Sequence, residues 1–252
     1  MPAAYDTYDY PAYWEGRDYE HKAELIAIKA FLTKIPKINK VVEIGAGFGR
    51  ITPTYFYRAS KIILTDPASR LLSLAKKKFK NKKVHFLQAK VEKLSKKIKR
   101  NSVDLVIMIR VLHHINDLEK ALSVISKILK KDGYFILEFA NKSHFKARLH
   151  EFFKGNFTFP FEIFPIDIRS KKFSNKKTLP FLNYHPDTIF ETLKAKGFKI
   201  VEIRSVSNIR STFLKKHLPC DMLLFLEKYS QPILARFKFG PSIFILAKYF
   251  KD

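Results

Sequence analysis

A single cysteine, Cys220, stands among 252 residues, so the chain can form neither an internal disulfide nor a cysteine-built zinc cage, which fits a reducing compartment. Long hydrophobic runs are missing as well. No stretch approaches the roughly 20 apolar residues needed to span a bilayer, and Met1 to Asp9 lack the basic start and apolar core of a secretory signal. The expectation is a cytoplasmic protein. Acidic residues are scarce: 23 Asp and Glu face 48 Lys and Arg, for a formal charge of +25. Such an excess attracts anions over long range, which makes RNA, phosphates or an anionic membrane surface partner classes to weigh. Many of the lysines, including Lys76, Lys77, Lys78, Lys80, Lys82, Lys83, Lys96, Lys97 and Lys99, fall between apolar core positions, the pattern of solvated helix faces.

Apolar residues are plentiful. They make up 46% of the chain, with 14% aromatic, a profile that folds rather than stays disordered. Without repeats or low-complexity linkers, residues 1–252 read as one domain. Short runs rich in β-branched residues recur at Lys40–Ile44, Lys61–Thr65, Val84–Leu87, Val103–Ile109 and Tyr134–Phe139, separated by segments of helical period. That alternation predicts an α/β fold with a buried parallel sheet and crossover helices. Residues 1–39 hold an aromatic run (Tyr5, Tyr8, Tyr10, Tyr13, Trp14), read as a lid or a loose tail, and then an amphipathic helix. A helix over Leu118 to Leu129 is expected to stop at Lys131-Asp132-Gly133, with a left-handed glycine before the next strand.

Beyond residue 140 the rhythm breaks. Residues 141–184, interrupted by Pro160, Pro165 and Pro180, and residues 208–239 read as insertions. Phe152, Phe153, Phe157, Phe159, Phe161 and Phe164, with the Leu214–Leu234 segment, are expected to roof the active face, although a plain extension of the core fits them too. A helix from Pro186 to Lys196, opened by His185 and closed by Gly197, leads to strands Lys199–Val206 and Ser242–Tyr249.

The most informative string is Val41-Val42-Glu43-Ile44-Gly45-Ala46-Gly47-Phe48-Gly49-Arg50, an apolar strand running into a glycine loop. Ligands bind at such strand ends in doubly wound sheets. Gly45 and Gly47 let a ligand approach the main chain. Asp66, ending the next strand, can hold ribose hydroxyls or cap the helix after Pro67. A dinucleotide fingerprint wants glycine where Arg50 stands, which argues against a nicotinamide-dependent oxidoreductase.

Taken together, Glu43-Ile44-Gly45-Ala46-Gly47-Phe48-Gly49, Leu64-Thr65-Asp66-Pro67, Phe86-Leu87-Gln88-Ala89, Asp104-Leu105-Val106 with Leu112-His113-His114-Ile115, and Asp132-Gly133-Tyr134-Phe135 resemble the class I S-adenosylmethionine-dependent methyltransferases, on the branch of quinone-biosynthesis and other small-molecule enzymes. The resemblance implies a Rossmann-like seven-stranded sheet in the order 3-2-1-4-5-7-6 with strand 7 antiparallel. It implies S-adenosylmethionine as cofactor and no metal. Carried over, Glu43 faces the methionine amino group, the Gly45-Ala46-Gly47 main chain packs on the cofactor, and Asp66-Pro67 serve the ribose. Val91 brings its amide to the adenine and Arg110 offers its carbonyl to the ammonium. Relatives often carry an acidic residue where this chain has Lys90, which cannot accept a hydrogen bond, so either Glu92 substitutes or the adenine is held mainly by stacking and backbone contacts.

Methyl transfer needs a dry pocket and an aligned nucleophile, and a histidine suits the base that a hydroxyl or carbon acceptor requires. His113 and His114 follow the fourth strand at the acceptor rim, as base candidates or as packing residues. The expected acceptor is a small apolar or aromatic molecule, or one linked to a lipid. RNA methylation is the enzymatic rival, invited by charge. Against it, Ile109-Arg110-Val111-Leu112 lacks the Asn/Asp-Pro-Pro-aromatic clamp, and Cys220 sits far in sequence from the nucleophile position of cytosine C5 enzymes. A cofactor-binding or membrane-surface accessory protein is the non-enzymatic rival.

Overall fold

A computed structural model describes residues 4–6, 9–169 and 179–250. The expected strands form as β1 (Lys40–Ile44), β2 (Lys61–Asp66), β3 (Val84–Gln88), β4 (Val103–Met108) and β5 (Leu129–Ala140), followed by β8 (Phe198–Val206) and β9 (Ser242–Tyr249). They make a seven-stranded sheet in the order β3-β2-β1-β4-β5-β9-β8, which is 3-2-1-4-5-7-6 when only its own strands are counted. Strands β1 to β5 pair in parallel. β9 runs antiparallel between β5 and β8, with Leu137 opposite Ile245.

Apolar side chains alternate between the two faces of the sheet, and each face is covered. One side packs helices α3 (Leu118–Ile128) and α5 (Pro186–Ala195) through Leu122, Ile125, Ile189 and Leu193. The other receives α1 (Asp18–Thr33) and α2 (Ser69–Lys78) through Ala27, Ile28, Leu72 and Ala75. Helix α7 (Cys220–Ala235) lies against β8 and α1 on that same side. Opened by the His185 side chain accepting the Asp187 amide, α5 ends before Gly197, whose φ is +86°. The lysines of the 76–99 stretch are mostly exposed, as solvated faces require.

Three expectations are corrected. Helix α3 ends at Ile128, and β5 starts directly at Leu129 instead of Tyr134, with an irregularity opposite Val103 and Leu105 that absorbs the extra residues. The left-handed position is Asp132 (φ 62°), not Gly133. Gly133 is needed because a Cβ there would come within 2.8 Å of the Lys130 carbonyl.

The third concerns the aromatic roof. Residues 141–184 hold helix α4 (Phe145–Phe153) and a short ladder pairing β6 (Ile166–Asp167) with β7 (Leu182–Asn183). Phe152, Phe153, Phe157, Phe161 and Phe164 are exposed on the surface while Phe159 is buried, and α7, which follows the short α6 (Thr212–His217), covers the sheet instead of the strand ends. Expectations for residues 170–178, and for Tyr8, lie outside the described residues. Among the described residues no helix is long and apolar enough to cross a membrane.

Candidate active site

The loop after β1 turns through Gly45 (φ 67°) and Gly47 (φ 54°), a region that costs most other residues strain. At Gly45 a Cβ would also fall 2.1 Å from a Val111 methyl, so the loop after β1 packs directly against the Val111 side chain of the loop after β4. The Gly47 amide donates to Asp66 Oδ2 at 2.9 Å, and the Ala68 amide to Asp66 Oδ1 at 2.8 Å. Asp66 therefore fastens the glycine loop to the start of α2. Burial pushes its carboxyl up to about 6, against the pull of the two amides.

These elements wall a cavity of about 300 Å³ at the carboxyl ends of the strands. Of the residues singled out from the sequence, Gly45, Gly47, Asp66, Pro67, Val91, Glu92, Arg110 and His114 line it, and so does Lys90. Ala46 stays behind the loop, its amide bound to the Thr65 carbonyl. Glu43 also differs from expectation. It shares the side of β1 with Val41, and its carboxylate accepts the Thr52 hydroxyl at 2.7 Å and the Tyr55 hydroxyl, away from the cavity wall. Burial pushes it up to about 7, opposed by those two donors. Glu43 thus holds the chain that follows the loop.

Arg110 adopts a left-handed backbone (φ 57°), a strain sustained by its neighbours. Its amide donates to Glu138 Oε2 and its Nε to Glu24 Oε1, both at 2.6 Å. Glu24, fully buried on α1, also binds Arg50 at 2.6 Å. Burial alone would raise the Glu24 carboxyl, but Arg110 and Arg50 outweigh it and hold it below its usual range. Sequence reasoning missed Glu24 and Glu138. Glu138 is a lone carboxylate in an apolar stretch, and that anomaly is a signal that could have found it; Glu24 follows Asp18, Glu20 and Lys22 and carries no such signal.

The N-terminal aromatics close over this network. The Arg50 guanidinium lies 3.5 Å above the Trp14 ring, and Tyr10 stacks on Tyr13 and meets Phe48 edge-on. Tyr5 reaches His114, whose Nδ1 lies 2.7 Å from the Pro180 carbonyl. Because a carbonyl only accepts, Nδ1 carries the proton, so Nε2 accepts from the Tyr5 hydroxyl at 2.5 Å. Burial lowers the His114 pKa, the Pro180 contact opposing it, which favours neutral imidazole. His113 is buried against Phe181, their rings 4.3 Å apart. Burial first, then His114 and Arg110, press its pKa well down.

A second cavity of about 340 Å³ adjoins the first, lined by Tyr5, Tyr10, Tyr13, Arg110, His113, His114, Leu179 and Phe181. Tyr5, Tyr10, Arg110, His114 and Leu179 wall both. A donor site and an acceptor site sharing one wall is what direct group transfer requires. The donor side suits S-adenosylmethionine: glycine main chain, a carboxylate with spare lone pairs for ribose hydroxyls, and a slot between Ala89 and Glu92 for a base.

Comparison with known proteins agrees. The family described as "Methyltransferase domain" matches residues 42–137. The ubiquinone/menaquinone biosynthesis C-methyltransferase UbiE of Campylobacter jejuni is 32% identical over 202 residues, covering 73% of this chain and 81% of that protein. The probable S-adenosylmethionine-dependent methyltransferase CRG1 of Saccharomyces cerevisiae is 36% identical over 119 residues, 44% of this chain and 40% of the yeast protein, so the match spans less than half of that relative. Among solved structures, a SAM dependent methyltransferase from Archaeoglobus fulgidus superposes with a TM-score of 0.57 at 17% identity, over 95% of this chain and all of that one, a likeness of fold. Motif order, sheet order and relatives converge: the chain belongs to the class I S-adenosylmethionine-dependent methyltransferases and is an enzyme that draws its methyl group from S-adenosylmethionine.

Proposed function

We propose that the enzyme methylates a small phenolic or quinol-like acceptor held in the second cavity, with His114 as its base. The observation that carries this reading is the Tyr5 hydroxyl on His114 Nε2, a phenol already seated on a neutral imidazole in the wall shared by the two cavities. The aromatic lining by Tyr13 and Phe181 suits a flat apolar ring. The name of the Campylobacter relative, a quinone-pathway C-methyltransferase, supports the same acceptor class.

S-adenosylmethionine, when bound, supplies an electrophilic methyl on a sulfonium that is transferred in line to a nucleophile. The chain's own residues do the rest. Asp66 would hold the ribose hydroxyls, the Val91 amide and Glu92 the adenine edge, the Gly45–Gly47 main chain the methionine part, and the Arg110 carbonyl its ammonium. Glu138 and Glu24 position Arg110. An acceptor hydroxyl taking the place of the Tyr5 phenol donates to His114 Nε2, and loss of that proton enriches the ring oxygen and adjacent ring carbons in electrons. The Pro180 carbonyl, accepting from Nδ1, fixes the tautomer that makes this possible.

His114→Gln should lower kcat on a phenolic acceptor by about 100-fold or more, within the range of general-base catalysis, while changing the calorimetric affinity for S-adenosylhomocysteine far less. An unchanged kcat removes the base role. Failure of simple hydroquinones to accept a labelled methyl from a cofactor-binding preparation removes the acceptor class.

A further inference from the structure

Helix α7 is turned inside out. Its buried side carries Leu223, Glu227, Gln231 and Ala235, four residues apart, and two of these are polar. They are satisfied inside: Glu227 accepts the Tyr19 hydroxyl at 2.6 Å and the Ser207 amide at 2.7 Å, and Gln231 donates to the Ala23 carbonyl at 2.9 Å. The opposite side carries Met222, Phe225, Leu226, Tyr229 and Ile233, continued by Phe237, each between 46% and 61% exposed. A helix that pairs with its own core normally shows the reverse.

Helix α4 extends the same face. None of its residues is buried, and Phe145, Leu149, Phe152 and Phe153 are exposed. The two helices are tied together by the Phe145 ring stacked on Phe239 at 4.9 Å and by Arg148 donating to the Phe237 carbonyl at 2.8 Å. Between them and α6 opens a cavity of about 820 Å³ with walls from Phe145, Leu214, Leu226, Leu234 and Phe239.

Charge identifies what covers this face. Lys146, Arg210, Lys216, Lys228 and Arg236 are exposed on or beside these helices, and Asp221 is the one exposed carboxylate of α6 and α7. A second copy of this chain would set this cationic rim against itself. Aromatic and aliphatic side chains ringed by lysine and arginine match the acyl boundary and headgroups of an anionic membrane. We propose that the α4–α6–α7 face is a peripheral docking surface for bilayers rich in anionic phospholipid, with Phe225, Tyr229 and Ile233 entering the headgroup boundary.

The test is co-sedimentation of the full chain with vesicles of phosphatidylcholine alone or mixed with phosphatidylglycerol. The expected result is salt-sensitive binding to the mixed vesicles. Partitioning should fall more than about tenfold in Phe225→Glu/Tyr229→Glu/Ile233→Glu and in Lys228→Glu/Arg236→Glu, since each basic residue at the surface contributes roughly fivefold. Both variants change exposed side chains, so circular dichroism and S-adenosylhomocysteine binding should match the parent. Lys76→Glu/Lys77→Glu/Lys78→Glu on α2 should still bind. The proposal is overturned if the parent ignores the mixed vesicles, if the α2 variant loses binding while the α7 variants keep it, or if light scattering shows a dimer that the aromatic variant dissolves. Every readout is independent of the acceptor, so failure here leaves the assignment of His114 standing.

Discussion

One Asp66 oxygen accepts the Gly47 amide and the other the Ala68 amide, and each retains a lone pair for a ribose hydroxyl. Burial raises this carboxyl to about 6, so the acceptor it offers is charged above that pH and neutralised below it. Cofactor affinity should therefore be full near pH 8 and fall as pH drops through about 6. Asp66→Asn should bind about 10- to 100-fold more weakly at pH 8, the worth of a hydrogen bond to a charged group, with a flatter pH profile. Calorimetric titration with S-adenosylhomocysteine from pH 5 to 8 measures both, and a variant that binds like the parent would detach Asp66 from the ribose. Glycine spacing and the strand-end acid made this residue legible in the sequence. Glu43 was assigned through its neighbours in the motif, and the period of two along β1 puts its side chain on the side of Val41, where Thr52 and Tyr55 bind it.

At the scale of elements, the tail before α1 is built as a clamp. Trp14 sits under Arg50, Tyr10 spans Phe48 and Tyr13, and Tyr5 ends on His114. None of these contacts belongs to the two large cores, so removing residues 1–14 should leave the melting temperature within a few degrees, the scale of about 1 kcal/mol in a chain of this size. The same truncation should weaken S-adenosylhomocysteine binding several-fold and abolish most turnover, because it takes Tyr5 and Tyr10 from both cavities and Tyr13 from the second. Cofactor affinity equal to the parent's would make the tail a bystander. Strands were the most legible elements, since buried β-branched runs have few other uses. Helix α7 was legible as a helix but not in its orientation. An apolar stripe has the same period whichever way it faces, and partners from elsewhere in the chain, Tyr19 and Ser207 for Glu227 and Ala23 for Gln231, decide that the polar side goes in. The phenylalanines of residues 152–164 misled for another reason: they follow no period that fixes a facing, and all but Phe159 end exposed.

For the molecule as a whole, buried carboxylates set the response to pH. Glu43 titrates near 7 through burial, and Glu138 and Glu227 are raised as well. A carboxyl raised on folding supports stability fully below its unfolded pKa and loses that support as pH climbs through the folded one, here from about 4.5 to about 7 for Glu43. Glu43→Gln, whose amide oxygen can still accept from Thr52 and Tyr55, should therefore raise stability by ~1–3 kcal/mol at pH 8 and change little at pH 4. Scanning calorimetry at the two pH values decides, and an equal shift at both would mean the substitution acts through packing. The sheet order was legible from the motifs in residues 41–139 together with the strand pair near the end of the chain, while the tail and the 179–181 stretch that line the second cavity were not, because they carry no periodic pattern. That division of labour has a consequence over longer times. On the proposed reading the donor side is built from strand ends within the sheet, whereas the acceptor side also draws Tyr5, Tyr10 and Tyr13 from the tail and Leu179 and Phe181 from the stretch before α5. On that reading, changes confined to those two pieces would shift acceptor preference across generations while leaving the donor side intact.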